Sequence, residues 1–190
     1  GITTANIIGM IESLLSQGAE GRAWNTPKAQ ILPGDAKLHM SMLATASEPP
    51  LMAVKSLGMN PANPQQGLET IGALITVFDS ESGLPLGIMD ADWITGVRTA
   101  GLSATAAHHL GRKDAETLAF LGCGLQARCH LEAFSQIFPL KRIRALGRGA
   151  ANRDKLVALA REMGLEAEGC TEPEDAIRGA DLIVSSVPHT

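Results

Sequence analysis

The chain has 190 residues, of which 45% are hydrophobic, and a formal net charge of −4 at pH 7. That length suits one large domain or two small ones, and the apolar fraction is sufficient for a core. The negative charge excludes the basic footprint of a nucleic-acid or anionic-membrane partner. No apolar run approaches the ~18 residues of a membrane-spanning helix, and the N-terminus lacks the features of a secretory signal. We therefore expect a cytoplasmic globular protein.

The N-terminal part predicts a helix followed by a sheet. A helical period runs from Ile7 to Leu15, with Thr3 or Thr4 as the candidate cap, and a loop that holds Pro27 and Pro33 follows. Four segments then have strand character, at residues 38–44, 51–57, 71–78 and 84–89. Strands without helices between them indicate a mainly antiparallel sheet, and residues 80–83 predict a hairpin turn.

Residues 92–110 predict a helix with Asp92 as its N-cap and Gly111 as its terminating glycine. Its middle is dense in small residues, which let a helix lie close against a neighbour. His108 and His109 are interpreted as the end of this helix, where cationic character is favourable, and not as catalytic residues.

From Lys113 onward, strands alternate with helices. Strands are predicted at residues 117–121, 142–146 and 182–187, and helices at 126–137, 152–163 and 173–178. This alternation is typical of a parallel sheet with helical crossovers. We therefore predict an α/β fold, with an α+β domain over residues 1–112. The first part of a Rossmann-type domain follows over residues 113–190.

The last predicted strand ends close to the end of the sequence, and ligands bind at the carboxyl ends of strands in open α/β sheets. Its end contributes three candidate cofactor contacts, Ser185, Ser186 and Val187. We expect a longer protein to continue past Thr190.

The three cysteines, Cys123, Cys129 and Cys170, cannot all pair with one another. Their spacing matches no zinc pattern. Because cytosolic proteins keep their thiols reduced, we expect three free thiols and no metal site.

The most informative local feature is a G-x-G-x-x-A turn between an apolar strand and a helix. Gly122 permits a tight turn, Gly124 lets a pyrophosphate approach the backbone, and Ala127 allows close helix–strand packing. The phosphates would lie at the helix N-terminus, at Leu125 and Gln126, on free backbone N–H groups. The alternative is a glycine-rich turn without a ligand.

The end of the next strand bears on the choice of cofactor. A NAD site usually carries Asp or Glu there, about 20 residues on, for the ribose 2′-hydroxyl. The stretch 145–149 has no acidic residue, whereas Arg148 could pair with a 2′-phosphate and Asn152 is near in sequence. This favours NADP, with NAD possible. The alternative is that Arg148 is a solvated loop residue.

Four segments, in this order, resemble motifs of the ornithine cyclodeaminase/mu-crystallin family. They are residues 54–61 (VKSLGMNP), 79–85 (DSESGLP), 89–100 (MDADWITGVRTA) and 122–127 (GCGLQA). Ser82 stands where threonine is usual. Four motifs in one order over nearly the whole chain are far more specific than any one of them.

The resemblance implies a substrate site. Arg98 matches an arginine that binds the substrate carboxylate, Lys55 an active-site lysine near the reacting carbon, and Thr70 a threonine of that site. An arginine gives a planar two-point grip on a carboxylate. From the residues alone, Lys55 would be interpreted as a lysine on the solvent-exposed face of a strand, and Arg98 as a solvated helix residue.

The resemblance also implies cofactor contacts and an assembly. Thr99 and Gln126 match residues that contact the dinucleotide, and Arg148 matches the 2′-phosphate partner of NADP-using members. The resemblance further implies that residues 1–112 are a partial domain for substrate binding and dimerisation, through which a homodimer is built.

Two departures from the family pattern bear on function. Ala29 stands where an early carboxylate-binding arginine is expected. Lys28 beside it offers a single point charge, without the paired N–H donors with which arginine binds both oxygens of a carboxylate. The family's acid–base aspartate is expected beyond Thr190, so the residues to Thr190 would be inactive by themselves.

Three functions stay open from the sequence. The first is an NAD(P)-dependent enzyme acting on a small amino or cyclic imino acid with a carboxylate, as a cyclodeaminase, dehydrogenase or imine reductase. The second is a mu-crystallin-like protein that holds NADPH and a small ligand without useful turnover. The third is a structural or interaction domain, against which the glycine turn argues.

Overall fold

The computed structural model describes residues 2–187, and its first part is a helix followed by an antiparallel sheet. Helix α1 spans Thr4–Ala19, and the Thr3 hydroxyl accepts the Asn6 N–H at 3.2 Å as its cap. The strands are β1 (Ala23–Asn25), β2 (Ala29–Gly34), β3 (Lys37–Ala46), β4 (Leu51–Met59), β5 (Ile71–Asp79) and β6 (Pro85–Asp90). A short 3₁₀ helix, Asn63–Gln66, lies between β4 and β5. The predicted antiparallel sheet is confirmed, in the order β1-β3-β4-β5-β6 with β2 also on β3.

The predicted loop is confirmed at Pro27, which lies between β1 and β2, but is wrong at Pro33, because residues 29–34 form β2. Among residues 2–187, both strands pair with β3 alone. Every residue of β2 is exposed, and its register with β3 shifts between Ile31 and Gly34. Proline cannot donate to a sheet ladder and is confined to edges and irregularities. Pro33 therefore marks an edge strand and not the absence of one.

The second part is a helix followed by a parallel sheet with helices between its strands. The helices are α2 (Asp92–Leu110), α3 (Leu125–Ser135), α4 (Ala150–Glu162) and the short α5 (Pro173–Ile177). The strands are β7 (Thr117–Leu121), β8 (Arg142–Leu146), β9 (Glu166–Cys170) and β10 (Leu182–Ser185). They pair in parallel in the order β10-β7-β8-β9, which confirms the α/β Rossmann-type class.

Three predictions of local structure need correction. The sequence did not predict β9, whose glutamates face solvent at the edge of the sheet and mask the strand pattern. The last strand ends at Ser185, before Ser186 and Val187. Asp92 is the first residue of α2, and not its N-cap: its carboxylate accepts the N–H of Ala73 at the start of β5, at 2.9 Å.

The core of the parallel sheet consists of side chains that are fully buried, including Leu118, Phe120, Leu131, Ile143 and Leu156. Burying one such side chain stabilises a fold by about 1.5–3 kcal/mol. These residues alternate along β7 and β8 or lie on the inner faces of α3 and α4. The rigid core fixes the strand ends that build the candidate site.

Asp181 joins the starts of β7 and β10. Its carboxylate accepts the backbone N–H groups of Glu116 and Thr117, both at 3.0 Å, and lies 3.2 Å from the Arg112 guanidinium. The backbone hydrogen bond from Glu116, followed by that from Thr117, lowers the pKa of this carboxyl group. Because β7 and β10 are tied at their starts as well as along their ladder, their carboxyl ends emerge side by side.

The chain divides into two compact units. One contains the residues up to Ile11 together with those from Gly96 onward, and the other is Glu12–Thr95. The functional division between residues 112 and 113 stays a prediction.

The three cysteines are free thiols. A bilayer-spanning helix is absent from residues 2–187, since none of the helices there combines the needed length with sufficient hydropathy.

Candidate functional site

The turn after β7 has a backbone that only glycine adopts without strain. Gly122 has a φ of +97°, and a Cβ on it would lie 2.7 Å from the Ser186 carbonyl oxygen. Its N–H donates to the Leu146 carbonyl at the end of β8, at 2.8 Å. The turn is therefore held on both sides, by the end of β8 and by the residues after β10.

The N-terminus of α3 has free space in front of it. Gly124 is its N-cap, and a Cβ there would meet no atom within 4 Å. Within residues 2–187 no side chain caps this terminus. The first N–H groups of a helix also lack intrahelical acceptors. These features fit a dinucleotide pyrophosphate on the glycine turn.

The end of β10 meets the same turn. The Ser186 N–H donates to the Leu121 carbonyl at 2.8 Å, and its hydroxyl lies 3.5 Å from the Gly122 carbonyl. The structure therefore brings Ser186, with Ser185 and Val187 on either side, next to the glycine turn. Because β10 lies on one side of β7 and β8 on the other, the strand order reverses here. Dinucleotides bind at such switch points in open α/β sheets.

The loop after β8 carries the candidate specificity residues. Arg148 and Asn152 are both exposed, the first in the loop and the second in the first turn of α4. Gly147 beside them packs on Cys123 of the turn: a Cβ on this glycine would lie 3.2 Å from the Cys123 sulfur. The loop therefore adjoins the glycine turn, and the pairing of Arg148 with a 2′-phosphate stays a prediction.

Lys55 is buried, with 8% of its surface exposed. It lies in β4 opposite Met42 of β3 and Ile75 of β5. The burial of this residue is unusual, because lysine is almost never fully buried unless it is paired. The strand pattern alone would place this lysine on a solvent-exposed face, and its burial shows that this expectation is wrong.

Thr70 and Lys55 are not adjacent along the sheet. The Thr70 carbonyl accepts the Asn60 N–H at 2.9 Å, just beyond β4. Asn60 is separated from Lys55 by five positions, which corresponds to roughly 16 Å of strand. A role for Thr70 in a substrate site stays a prediction.

Arg98 lies in α2 and is partly buried. Burial lowers the pKa of its guanidinium, which nevertheless stays charged at neutral pH. Half-buried cations favour a partner anion. Its proposed carboxylate partner stays a prediction.

Helices α2 and α3 approach closely through small residues. A Cβ on Gly96 would lie 2.9 Å from the Cys129 sulfur and 3.8 Å from the Leu125 side chain, and Ala100 and Ala127 are fully buried. The small residues in the middle of α2 therefore have the packing role that the sequence predicted. Thr99 and Gln126 lie on these two helices.

Sequence reasoning missed one polar pair of this region, Ser103 of α2 and His130 of α3. The His130 Nε2 and the Ser103 hydroxyl lie 3.0 Å apart. His130 is the single histidine of α3, and its partner is distant in sequence. Only its position on the buried face of α3, beside Leu131 and Phe134, hinted at a structural role.

Comparisons with known proteins agree on one family. The model of the ornithine cyclodeaminase/mu-crystallin family matches residues 2–190. The alanine dehydrogenase of Archaeoglobus fulgidus is 32% identical over 135 residues, which are 71% of this chain and 41% of that protein. An ornithine cyclodeaminase of Agrobacterium fabrum is 32% identical over 144 residues, which are 76% of this chain and 41% of that protein.

A solved structure extends the similarity to the fold. An archaeal alanine dehydrogenase dimer with bound NAD superposes with a TM-score of 0.90 at 29% identity, covering 97% of this chain and 56% of that one. The chain therefore spans about two fifths of the length of the curated relatives and just over half of this structure.

Two glycine substitutions separate the turn's folding role from its binding role. Gly122→Ala combines a positive φ with a 2.7 Å approach to the Ser186 carbonyl, so we expect a loss of at least ~2 kcal/mol in the free energy of unfolding. Gly124→Ala has an ordinary φ of −77° and open space, so the free protein should keep its stability. Its methyl group should weaken NADPH binding by about tenfold or more.

Denaturant unfolding and a fluorescence titration of the two variants check this prediction. Tight NADPH binding by Gly124→Ala would contradict a pyrophosphate at this position. A stable Gly122→Ala variant would contradict the strained geometry of the turn.

Proposed function

Since the chain belongs to the ornithine cyclodeaminase/mu-crystallin family, we propose that it holds the nicotinamide dinucleotide of an enzyme acting on a small amino or cyclic imino acid. The observation that carries the proposal is the joint position of the glycine turn and Ser186 at the reversal of strand order. Alanine dehydrogenase and ornithine cyclodeaminase, two relatives of the chain, are named for reactions on amino acids.

The chain's residues would bind and orient the reactants. The free N–H groups at the start of α3 hold the pyrophosphate, and Gly124 leaves room for it. Bound NAD(P) supplies hydride transfer at its nicotinamide ring. Arg98 grips the substrate carboxylate at two points and Lys55 holds positive charge near the reacting carbon. Orientation of this kind supplies much of the rate in such a reaction.

NADP is the proposed cofactor, with NAD as the alternative. Arg148 is exposed at the end of β8, next to the glycine turn, and residues 145–149 contain no acid to bond a ribose 2′-hydroxyl. A guanidinium forms a two-point contact with a phosphate. The archaeal alanine dehydrogenase structure holds NAD, so this feature would distinguish the two proteins.

A non-catalytic binder of NADPH and a small ligand is the second candidate. The observation that favours it is Ala29, the first residue of β2, which is exposed and paired with Ser41. A methyl group there cannot take the place of a carboxylate-binding arginine. Lys28 beside it is also exposed and offers a single charge.

A homodimer is proposed for the assembly. Strands β2 and β6 expose large apolar side chains to 60–71% of their surface, namely Ile31, Leu32, Leu86 and Ile88. Strands β2 and β6 lie at opposite edges of the sheet, and an edge strand can pair with another chain. The archaeal alanine dehydrogenase of similar structure is itself a dimer.

Arg148→Ala tests the choice of cofactor. We expect it to weaken NADPH binding by about tenfold or more, which corresponds to ~1.4 kcal/mol, while NADH binding stays unchanged. Lys155→Ala, which removes an exposed cation from α4, is the matched control and should change neither affinity. Titrations that follow Trp24 and Trp93 fluorescence measure both. An equal loss of NADH affinity, or no loss of NADPH affinity, would contradict the role of Arg148.

Turnover of the protein at its natural length tests the function itself. A cyclodeaminase converts its substrate without net change in NAD(P)H, a reductase of cyclic imines consumes one NADPH per product, and a binder saturates without turnover. In either enzyme, Arg98→Lys should raise KM for the carboxylate substrate by about tenfold, because lysine keeps the charge and loses the fork. The NADPH Kd should not change.

The control for Arg98→Lys is Arg178→Lys. Arg178 is exposed and pairs with Glu174 at the surface, where such pairs contribute little. An unchanged KM in Arg98→Lys would remove Arg98 from the site. Saturable NADPH binding without turnover on any amino or imino acid would favour the binder.

A further inference from the structure

A hydrogen-bonded chain joins α2 to α3. The His130 ring on α3 is 5% exposed, and its Nδ1 lies 2.7 Å from the Gln126 carbonyl oxygen. Its Nε2 lies 3.0 Å from the Ser103 hydroxyl on α2. That hydroxyl is 3.1 Å from the Thr99 carbonyl oxygen. The hydrogen bonds therefore join the Gln126 backbone to Ser103, which lies one helical turn after Thr99.

The chemistry of the ring sets the direction of these bonds. A carbonyl oxygen only accepts, so His130 Nδ1 carries the hydrogen and donates to Gln126. Burial lowers the pKa of His130, and the bond to Gln126 offsets only part of this, so the ring is neutral at pH 7. Nε2 is then an acceptor aimed at α2, and the hydroxyl of Ser103 is the donor that satisfies it.

The Ser103 hydroxyl has one hydrogen and two acceptors within reach. The Thr99 carbonyl already accepts the Ser103 backbone N–H as part of the helix. The His130 Nε2 has no other donor among its contacts. Donation across to His130 therefore satisfies more groups than donation along α2.

The other contact described between these helices is the approach of Gly96 to the Cys129 sulfur and the Leu125 side chain. Apolar contacts of this kind are non-directional. A hydrogen bond has a defined length and direction and therefore fixes the register.

We propose that His130, acting through Ser103, is a positioning residue that fixes α2 against α3 and so places Thr99 and Gln126 together for the dinucleotide. The inference rests on the proposed function, because the roles of Thr99 and Gln126 belong to it. His130 touches neither the cofactor nor the substrate in this account.

The test is a set of NADPH titrations well below the thermal unfolding midpoint of each variant. Ser103→Ala and His130→Leu should each weaken NADPH binding by about tenfold, and the double variant should be no weaker than His130→Leu. His130→Gln, whose amide oxygen can accept the Ser103 hydroxyl, should recover most of the affinity. Ser135→Ala removes another buried hydroxyl of α3, one without a hydrogen-bond partner among residues 2–187, and should change nothing.

A spectroscopic measurement separates positioning from simple stability. In ¹⁵N-labelled protein, the His130 ring should show a protonated Nδ1 and an unprotonated Nε2. The Nε2 resonance should shift on addition of NADPH, and this response should disappear in Ser103→Ala. A role limited to stability would lower the unfolding midpoint without coupling the ring to the cofactor.

The possible outcomes distinguish a failure of this inference from a failure of the proposed function. Wild-type affinity in both Ser103→Ala and His130→Leu would overturn the inference and leave the proposed function intact. Binding by His130→Gln as weak as that of His130→Leu would assign the loss to packing and would also overturn it. Failure of the wild-type protein to bind NADPH or NADH would overturn both proposals.

Discussion

The turn between β7 and α3 depends on Gly122, whose backbone has a positive φ and packs directly against the Ser186 carbonyl. No other residue fits there, because any Cβ would collide with a backbone atom. This one constraint joins the end of β7 to the end of β10 and directs the N-terminus of α3 toward the space beyond both strands. Everything proposed for cofactor binding depends on that geometry.

The parallel sheet makes this turn rigid. Fully buried side chains such as Phe120 and Ile143 hold β7 and β8 in place, and Asp181 ties the starts of β7 and β10. With the strands fixed at their starts, their ends have little freedom. A site made of backbone groups needs such support, because a pyrophosphate bound to N–H groups has few side chains to adjust.

Helices α2 and α3 carry two residues that are proposed to contact the cofactor, Thr99 and Gln126. The pair of Ser103 and His130 is a directional contact between these helices. In the proposal, the positions of Thr99 and Gln126 depend on this contact. Family membership supplies the expectation that both contact the dinucleotide, while the structure supplies the bond through which each could influence the other.

Much of the fold follows from the sequence, because its strongest signals are local. Period-two strands, the alternation of strands and helices after Lys113, and the strand–turn–helix context of Gly122 all appear in short windows. Edge strands are harder: β2 contains a proline and is exposed throughout, and β9 alternates with glutamates. Neither has the apolar pattern of a buried strand.

The site was predictable only in part, for a similar reason. The glycine turn is a local pattern, whereas the burial of Lys55 depends on the strands β3 and β5 beside it. The pairing of Ser103 with His130 joins residues separated by 27 positions, so no local sequence pattern indicates it. Lys55 and Arg98 were identified as candidate site residues through the resemblance to a family. Propensity and periodicity alone would have predicted ordinary surface charges at both positions.

Hydrogen–deuterium exchange with and without NADPH tests the central claim most directly, namely that the glycine turn and the end of β10 form one dinucleotide site. The account predicts that NADPH slows exchange together in two peptides, one covering residues 122–128 and the other residues 183–187. Exchange in β2 and β3 should not change. Protection confined to other segments, or absent at saturating NADPH, would contradict the account.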